Sequence, residues 1–183
     1  LGLAIFFSAH LYSAFRSREI GRDIKEKIGA GKFMGLYSLA SMAGFVLMVW
    51  GYGLSRPSTL IFTPPSWGHS ALLALMLPVF IILMSAYGPR GYLKQLLRHP
   101  MLIAIILWSA GHLLANGELN SLLLFGGFLL FALIDWFAVA GREIAVKQAS
   151  ILGDILAIGL GTLFYWLIIA YLHPMLIGVP VLN

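Results

Sequence analysis

Six apolar runs parted by polar turns leave this chain few folds to choose from. They cover Leu1–Phe15, Phe33–Leu54, His69–Gly88, Pro100–Ala115, Leu119–Ala140 and Ile155–Leu172. A run of about 20 apolar residues crosses a bilayer as a helix, because lipid offers no partner to a backbone N–H or C=O. The predicted fold class is all-α: a polytopic transmembrane helical bundle of about six spans, one domain over residues 1–183. Composition agrees, with 60% hydrophobic and 10% charged residues; a soluble domain has roughly half and a quarter. No soluble second domain fits. The fourth run is short for a span and is expected to borrow Leu96–His99 or the turn that follows it. The chain is apolar from Leu1 on and lacks a basic n-region, so its opening reads as the body of a first span missing its start rather than a removable signal peptide.

The turns differ sharply in charge. The one after the first run carries Arg16, Arg18, Arg22, Lys25, Lys27 and Lys32. Arg90, Lys94 and Arg98 follow the third run, and Arg142 and Lys147 the fifth. The turns after runs two and four hold only Arg56. Basic turns stay in the cytoplasm, so both termini are expected on the outer, periplasmic side of a bacterial inner membrane. The net charge of +5 is therefore orientation charge, and no nucleic-acid partner is implied. With no cysteine, disulfides, thiolate ligands and iron–sulfur sites are excluded.

Other punctuation follows the same plan. Thr63-Pro64-Pro65-Ser66-Trp67 cannot be helical throughout, and Trp67, Trp50 and Tyr52 suit the outer interface. His173-Pro174 is expected to end the last run. Ile20, Ile24 and Ile28 recur every four residues within Arg16–Lys32, which fits an amphipathic helix on the inner surface; for the second half of that stretch, Gly29 and Gly31 fit a solvated loop equally well. Gly35, Ser38, Ser41 and Gly44 allow close helix approach in the second run.

Three ionisable groups sit inside the runs: His10, His112 and Asp135. An intramembrane histidine is costly without a partner and marks a functional site by default. His10 has Ser13 and Ala14 one turn on, and His112 follows Ser109-Ala110-Gly111, so both rings have small neighbours. Asn116 lies on the same helix face as His112. Two such histidines on different spans suit axial ligation of a haem; each could equally hydrogen-bond a neighbouring helix. No H-x-x-H, E-x-x-H or C-x-x-C pairing points to a metal ion. Arg16, Arg18, Arg98 and Arg142 would ring the cytoplasmic end, either to meet haem propionates or as ordinary positive-inside charges. Asp135 would pair with Arg142 or orient a ligand such as His10. His99 reads as an interfacial or capping residue, and His69 and His173 as interfacial and inert. Depth adds a condition. His10 is roughly 9 Å from the inner end of its run and His112 roughly 18 Å. Levelling them needs the first run to continue past Arg16, or the fourth to start before Pro100 or to tilt.

These residues together resemble the NnrU family of bacterial membrane proteins. The resemblance rests on the His10 segment, Gly35-Leu36-Tyr37-Ser38-Leu39, Val49-Trp50-Gly51-Tyr52-Gly53 and Pro64-Pro65-x-Trp67. It continues through Arg98-His99-Pro100-Met101, Trp108 to Gly117, Ser121 to Gly126, and Asp135, and so covers nearly the whole chain. The family is associated with nitric-oxide metabolism and denitrification and is similar to the zeta-carotene isomerase of plants and cyanobacteria. That enzyme binds haem b and isomerises a cis double bond of a carotenoid without net redox change. The resemblance implies haem b as cofactor, His10 and His112 as its ligands, and a polyene-like apolar substrate or nitric oxide as partner. Arg16, Arg98 and Asp135 would support the cofactor. Where the isomerase is expected to carry a cysteine shortly before the second ligand, this chain has Ser109. Arg98-His99-Pro100 followed by apolar spans is also similar to S-adenosylmethionine-dependent membrane methyltransferases of the isoprenylcysteine type. Arg142-Glu143 is the nearest acidic match to their Glu-Glu pair. A third class is a cofactor-free partner-binding membrane protein.

Overall fold

The computed structural model describes residues 1–141 and 148–182; Arg142, Glu143 and Lys147, and the roles expected of them, lie outside the described residues. Each apolar run becomes a helix. In chain order these are α1 (Gly2–Phe15), α3 (Ala30–Leu54), α4 (Gly68–Tyr87), α6 (Pro100–Ala115), α7 (Leu119–Val139) and α8 (Ile151–Leu167). Short helices α2 (Ile24–Ile28) and α5 (Tyr92–Leu97) precede α3 and α6. A π-helical turn (Ile168–Leu172) joins α8 to α9 (His173–Ile177). Among the described residues there is no strand, only one isolated antiparallel bridge between Leu60 and Glu118.

Among the described residues, four stretches are long and apolar enough to cross a membrane: Ala30–Leu54, Gly68–Tyr87, Leu119–Val139 and Ile151–Ile177. α1 and α6 are apolar but shorter, at 14 and 16 residues, or about 21 and 24 Å at 1.5 Å per residue. This is an all-helical, multi-pass membrane protein. The fourth run does not borrow Leu96–His99. Those residues leave α5 and turn sharply at Arg98, and α6 opens at Pro100, where the missing N–H breaks no intrahelical bond.

The chain forms two compact units. The first holds residues 1–58 with 137–141. Here α1 and α3 touch backbone to backbone. A Cβ on Gly44 would lie 2.7 Å from the Phe6 nitrogen and 2.9 Å from its Cα. Of the small residues singled out in the sequence, Gly44 makes the close approach, whereas Gly35 faces open space.

The continuous amphipathic helix does not form between α1 and α3. Gly21 (φ 78°) and Gly29 (φ 87°) adopt left-handed backbone and confine the helix to Ile24–Ile28. The connection is tied instead by an Arg16–Asp23 ion pair. The Asp23 carboxylate also accepts the Lys25 N–H (2.9 Å) and so caps α2. The Arg16 guanidinium, followed by the Lys25 N–H, holds the Asp23 carboxyl below its ordinary range. A lowered folded pKa contributes stability at pH values above the unfolded one, near ~3.9, and loses it as pH falls through the folded value. Asp23→Asn should therefore melt earlier than the wild type at pH 7. That gap should start to shrink as pH falls through about 3.9 and close below it. Melts from pH 7 to pH 3 check this, and a gap that stays constant would contradict it.

The second unit holds residues 59–136 and the described residues after 147. Leu72, Met76 and Val79 of α4 and Ala104 of α6 form its core, with Phe80, Trp108 and Tyr165 packed against them. Gly161 brings α8 onto the backbone of Ile81 in α4, and Gly111 brings α6 onto Leu72, Leu75 and Met76. The Asp154 carboxylate of α8 accepts the N–H groups of Tyr92 (2.9 Å) and Leu93 (3.0 Å), the first turn of α5. Lys94 donates to the Ala86 carbonyl (2.6 Å) near the end of α4.

His173-Pro174 does not end the last helix. Pro174 cannot donate to the residue four before it, and its ring crowds that carbonyl. The preceding turn widens, so the His173 N–H reaches back five residues to Ile168. The helix then runs to Ile177 and stops at Gly178, in left-handed backbone (φ 75°). His69 and His173 are not inert. Their rings donate to the Val181 (3.1 Å) and Val179 (2.8 Å) carbonyls and hold down the tail.

Candidate functional site

His10 and His112 are held in the same way, each within its own unit. His10 Nδ1 lies 2.8 Å from the Phe6 carbonyl oxygen, one turn back on α1. His112 Nδ1 lies 2.8 Å from the Trp108 carbonyl oxygen, one turn back on α6. A carbonyl only accepts, so Nδ1 carries the proton in both rings and the lone pair sits on Nε2. The His112 ring makes no other hydrogen bond among the described residues. Nδ1–H on a backbone carbonyl is the support that fixes tautomer and orientation in metal-ligating histidines.

Stacking fixes the ring planes as well. Phe6 stacks on His10 with centroids 4.0 Å apart and 25° between planes, and Tyr37 of α3 lies at 5.3 Å. Phe125 of α7 stacks on His112 at 4.3 Å and 22°, with Trp108 at 5.0 Å. Trp108 in turn meets Phe125 and Phe128 edge-on. The local sequences explain the likeness: Phe6-Phe7-Ser8-Ala9-His10 and Trp108-Ser109-Ala110-Gly111-His112 each place an aromatic four residues before the histidine and small residues just before it. The side chain of an α-helical residue leans toward the preceding turn, so the ring meets both that aromatic and its carbonyl. Asn116 donates to the His112 carbonyl (2.8 Å) and closes α6 instead of reaching the imidazole. Ser109 is fully buried, and its hydroxyl has no partner among the described residues.

The charged residues expected around a cofactor fall in different places. Arg16 is spoken for in part: its guanidinium pairs with Asp23 and lies 5.2 Å from the Phe33 ring centre. Its Nε is buried and makes no hydrogen bond among the described residues. Arg98 sits at φ 59°, ψ −51°, and the His99 N–H meets the Leu97 carbonyl at 2.6 Å. This is a γ-turn of the strained kind, worth roughly 1–3 kcal/mol of strain. It joins α5 to α6 with no linker. His99 supplies no side-chain cap; its ring meets Trp136 edge-on at 6.0 Å. Asp135, beside Trp136 in sequence, is half-buried and forms no ion pair among the described residues.

Arg98 lies just before α6, and Pro100 precedes His112 by twelve residues, about 18 Å of helix. Asp135 lies ten residues beyond Phe125 on α7, about 15 Å. The second unit thus gathers Arg98, His99 and Asp135 at the Pro100 end of α6 and sets His112 among aromatics at the other. Neither helix extension that would level His10 with His112 forms, since α1 stops at Phe15 and α6 starts at Pro100. Among the described residues no three or more His, Cys, Asp or Glu side chains gather to hold a metal ion. Asp154, the buried Nε of Arg16 and the tail contacts of His69 and His173 were not legible in the sequence.

A family model described as NnrU protein matches residues 1–181. No curated protein and no solved structure matches the chain.

Proposed function

The chain belongs to the NnrU family, and from that premise we propose that it binds haem b with His10 and His112 as axial ligands, in a bacterial inner membrane. The observation that carries this reading is the matched state of the two rings. Each gives Nδ1–H to its own helix at 2.8 Å and is stacked on an aromatic, and Nε2 would be the coordinating atom. Both spend the Nδ1 donor on their own helix.

The residues present fit the group. Two imidazoles suit haem iron, whose other four ligands are its own pyrrole nitrogens. Arg16 Nε and the Arg98 guanidinium are donors suited to the propionates, with Arg16 shared between Asp23 and the cofactor. Asp135 would balance Arg98. When bound, haem would supply an iron able to polarise or exchange electrons with a polyene or to take up nitric oxide. Trp108, Phe125 and Phe128 keep water from the His112 ring and offer a polyene flat apolar faces. An isomerase-like or nitric-oxide-linked role follows. In this reading six spans form one domain with both termini outside, supported by the alternation of basic turns.

The test is the optical spectrum of the detergent-purified protein, oxidised and reduced, from cells supplied with haem precursor. A Soret band with sharp reduced bands of low-spin b-type haem is expected. His10→Ala and His112→Ala should each lose haem or change its spin state, and unchanged spectra in both would defeat the assignment. A colourless protein that binds S-adenosylmethionine, and loses it with Arg98→Ala, would put a methyltransferase in its place.

A further inference from the structure

The segment from Arg16 to Lys32, which joins α1 to the first turn of α3, carries six cations, Arg16, Arg18, Arg22, Lys25, Lys27 and Lys32, and three acids, Glu19, Asp23 and Glu26. The structure uses all three acids internally. Asp23 takes Arg16 and the Lys25 N–H. Glu19 takes Arg22 at 3.0 Å, and Glu26 accepts the Gly21 N–H at 3.0 Å. Arg18, Lys25, Lys27 and Lys32 are left without an ion pair among the described residues.

The same bonds shape the surface. The N–H groups of Arg22 and Asp23 both return to the Glu19 carbonyl, at 3.0 and 3.1 Å, and close a tight turn. That turn thrusts Ile20 outward, 94% exposed, between Arg18 and Arg22. Ile24 and Ile28, by contrast, are half-buried. An isoleucine held out in water with cations on both sides is unfavourable for a soluble surface. At the boundary of a bilayer it is favourable, because the side chain reaches acyl carbon while the cations meet phosphate. The segment lies at that boundary, since α1 ends at Phe15 and α3 begins at Ala30.

We infer that the turn around Ile20, with Arg18, Lys25 and Lys27, is a docking face for anionic phospholipid, the cations taking headgroup phosphates and Ile20 entering the acyl boundary. With six cations against three acids the segment keeps a net positive charge, and each acid is bonded within it, Asp23 to Arg16, Glu19 to Arg22 and Glu26 to the Gly21 N–H. That surplus of positive charge is what makes the face selective for an anionic headgroup.

The probe is phosphatidylglycerol titrated onto the full chain in neutral detergent, with phosphatidylcholine of the same acyl length as reference, read by native mass spectrometry. The wild type is expected to retain phosphatidylglycerol in preference. Arg18→Gln, Lys25→Gln and Lys27→Gln should weaken it by about fivefold for each charge removed, since a juxtamembrane cation contributes about that factor. Added salt should act in the same direction. Ile20→Ser should weaken both lipids alike, a loss of anchoring without loss of charge selectivity. Arg18, Ile20 and Lys27 are exposed and Lys25 is half-buried, and unchanged melting temperatures would show that the variants fold. Equal retention of the two lipids, or a triple-Gln variant that keeps the preference, would overturn the inference. So would glycerol phosphate binding as tightly as the intact lipid, which would make the face a site for soluble phosphate.

Discussion

Gly161→Val should cost the protein about 3 kcal/mol, while Gly159→Val, two residues away on the same helix, should cost almost nothing. A Cβ at Gly161 would lie 2.6 Å from the Cα and 2.7 Å from the nitrogen of Ile81. Those are backbone atoms of α4 and cannot swing aside, so α8 must move out along its length. Overpacking costs typically 1–3 kcal/mol where side chains can adjust, and the upper end applies where they cannot. At 2–4 °C per kcal/mol for a chain of this size, the melting temperature in detergent should fall by roughly 6–12 °C. A Cβ at Gly159 meets nothing within 4 Å, and valine there only adds surface for lipid. Equal losses in the two variants would mean that helix propensity, not the α4–α8 contact, sets the effect.

Asp154→Ala should be nearly as damaging, although the side chain touches no other charge. Its carboxylate takes two backbone N–H groups at the start of α5, from 61 and 62 residues away in sequence. Hydrogen bonds to a charged acceptor are worth about 1.5–3 kcal/mol, and a lost cap typically costs about 1 kcal/mol, so a loss of about 2–3 kcal/mol is expected. Asp154→Asn keeps one acceptor oxygen and should recover part of it. A thermal melt of the three proteins ranks them. Alanine and asparagine variants that melt together would show that the charge, rather than the cap geometry, was at work.

What was legible in the sequence is what local chemistry determines. Pro100 and Ala115 bound α6 as read, and the Leu119 start of α7 and the Leu54 end of α3 agree, because an apolar run stops where polar turn residues begin. The helix breakers were read less well. Gly21 and Gly29 interrupt what the isoleucine spacing presents as one amphipathic helix, because a glycine able to take positive φ can end a turn that the periodicity would continue. Asp154 went unread for a different reason: its partners lie far off in sequence, and near the start of an apolar run a lone carboxylate looks like ordinary flanking polarity. His10 and His112 stood out at once, since an imidazole in an apolar run is conspicuous wherever it falls. The way each ring is held became visible only with the backbone carbonyl and the stacked aromatic in place.

The π-helical turn at Ile168–Leu172 has a consequence for how the length of the last helix can vary. One residue inserted into an α-helix rotates everything beyond it by about 100°. Gly161 and His173 would then no longer point where their contacts require. The wide turn already holds one residue more than an α turn, so removing one there restores ordinary winding while Gly161 stays against Ile81 and His173 stays against the tail. Between those two anchors, Ile168–Leu172 is where the chain can lose a residue without throwing the two ends of the helix out of phase.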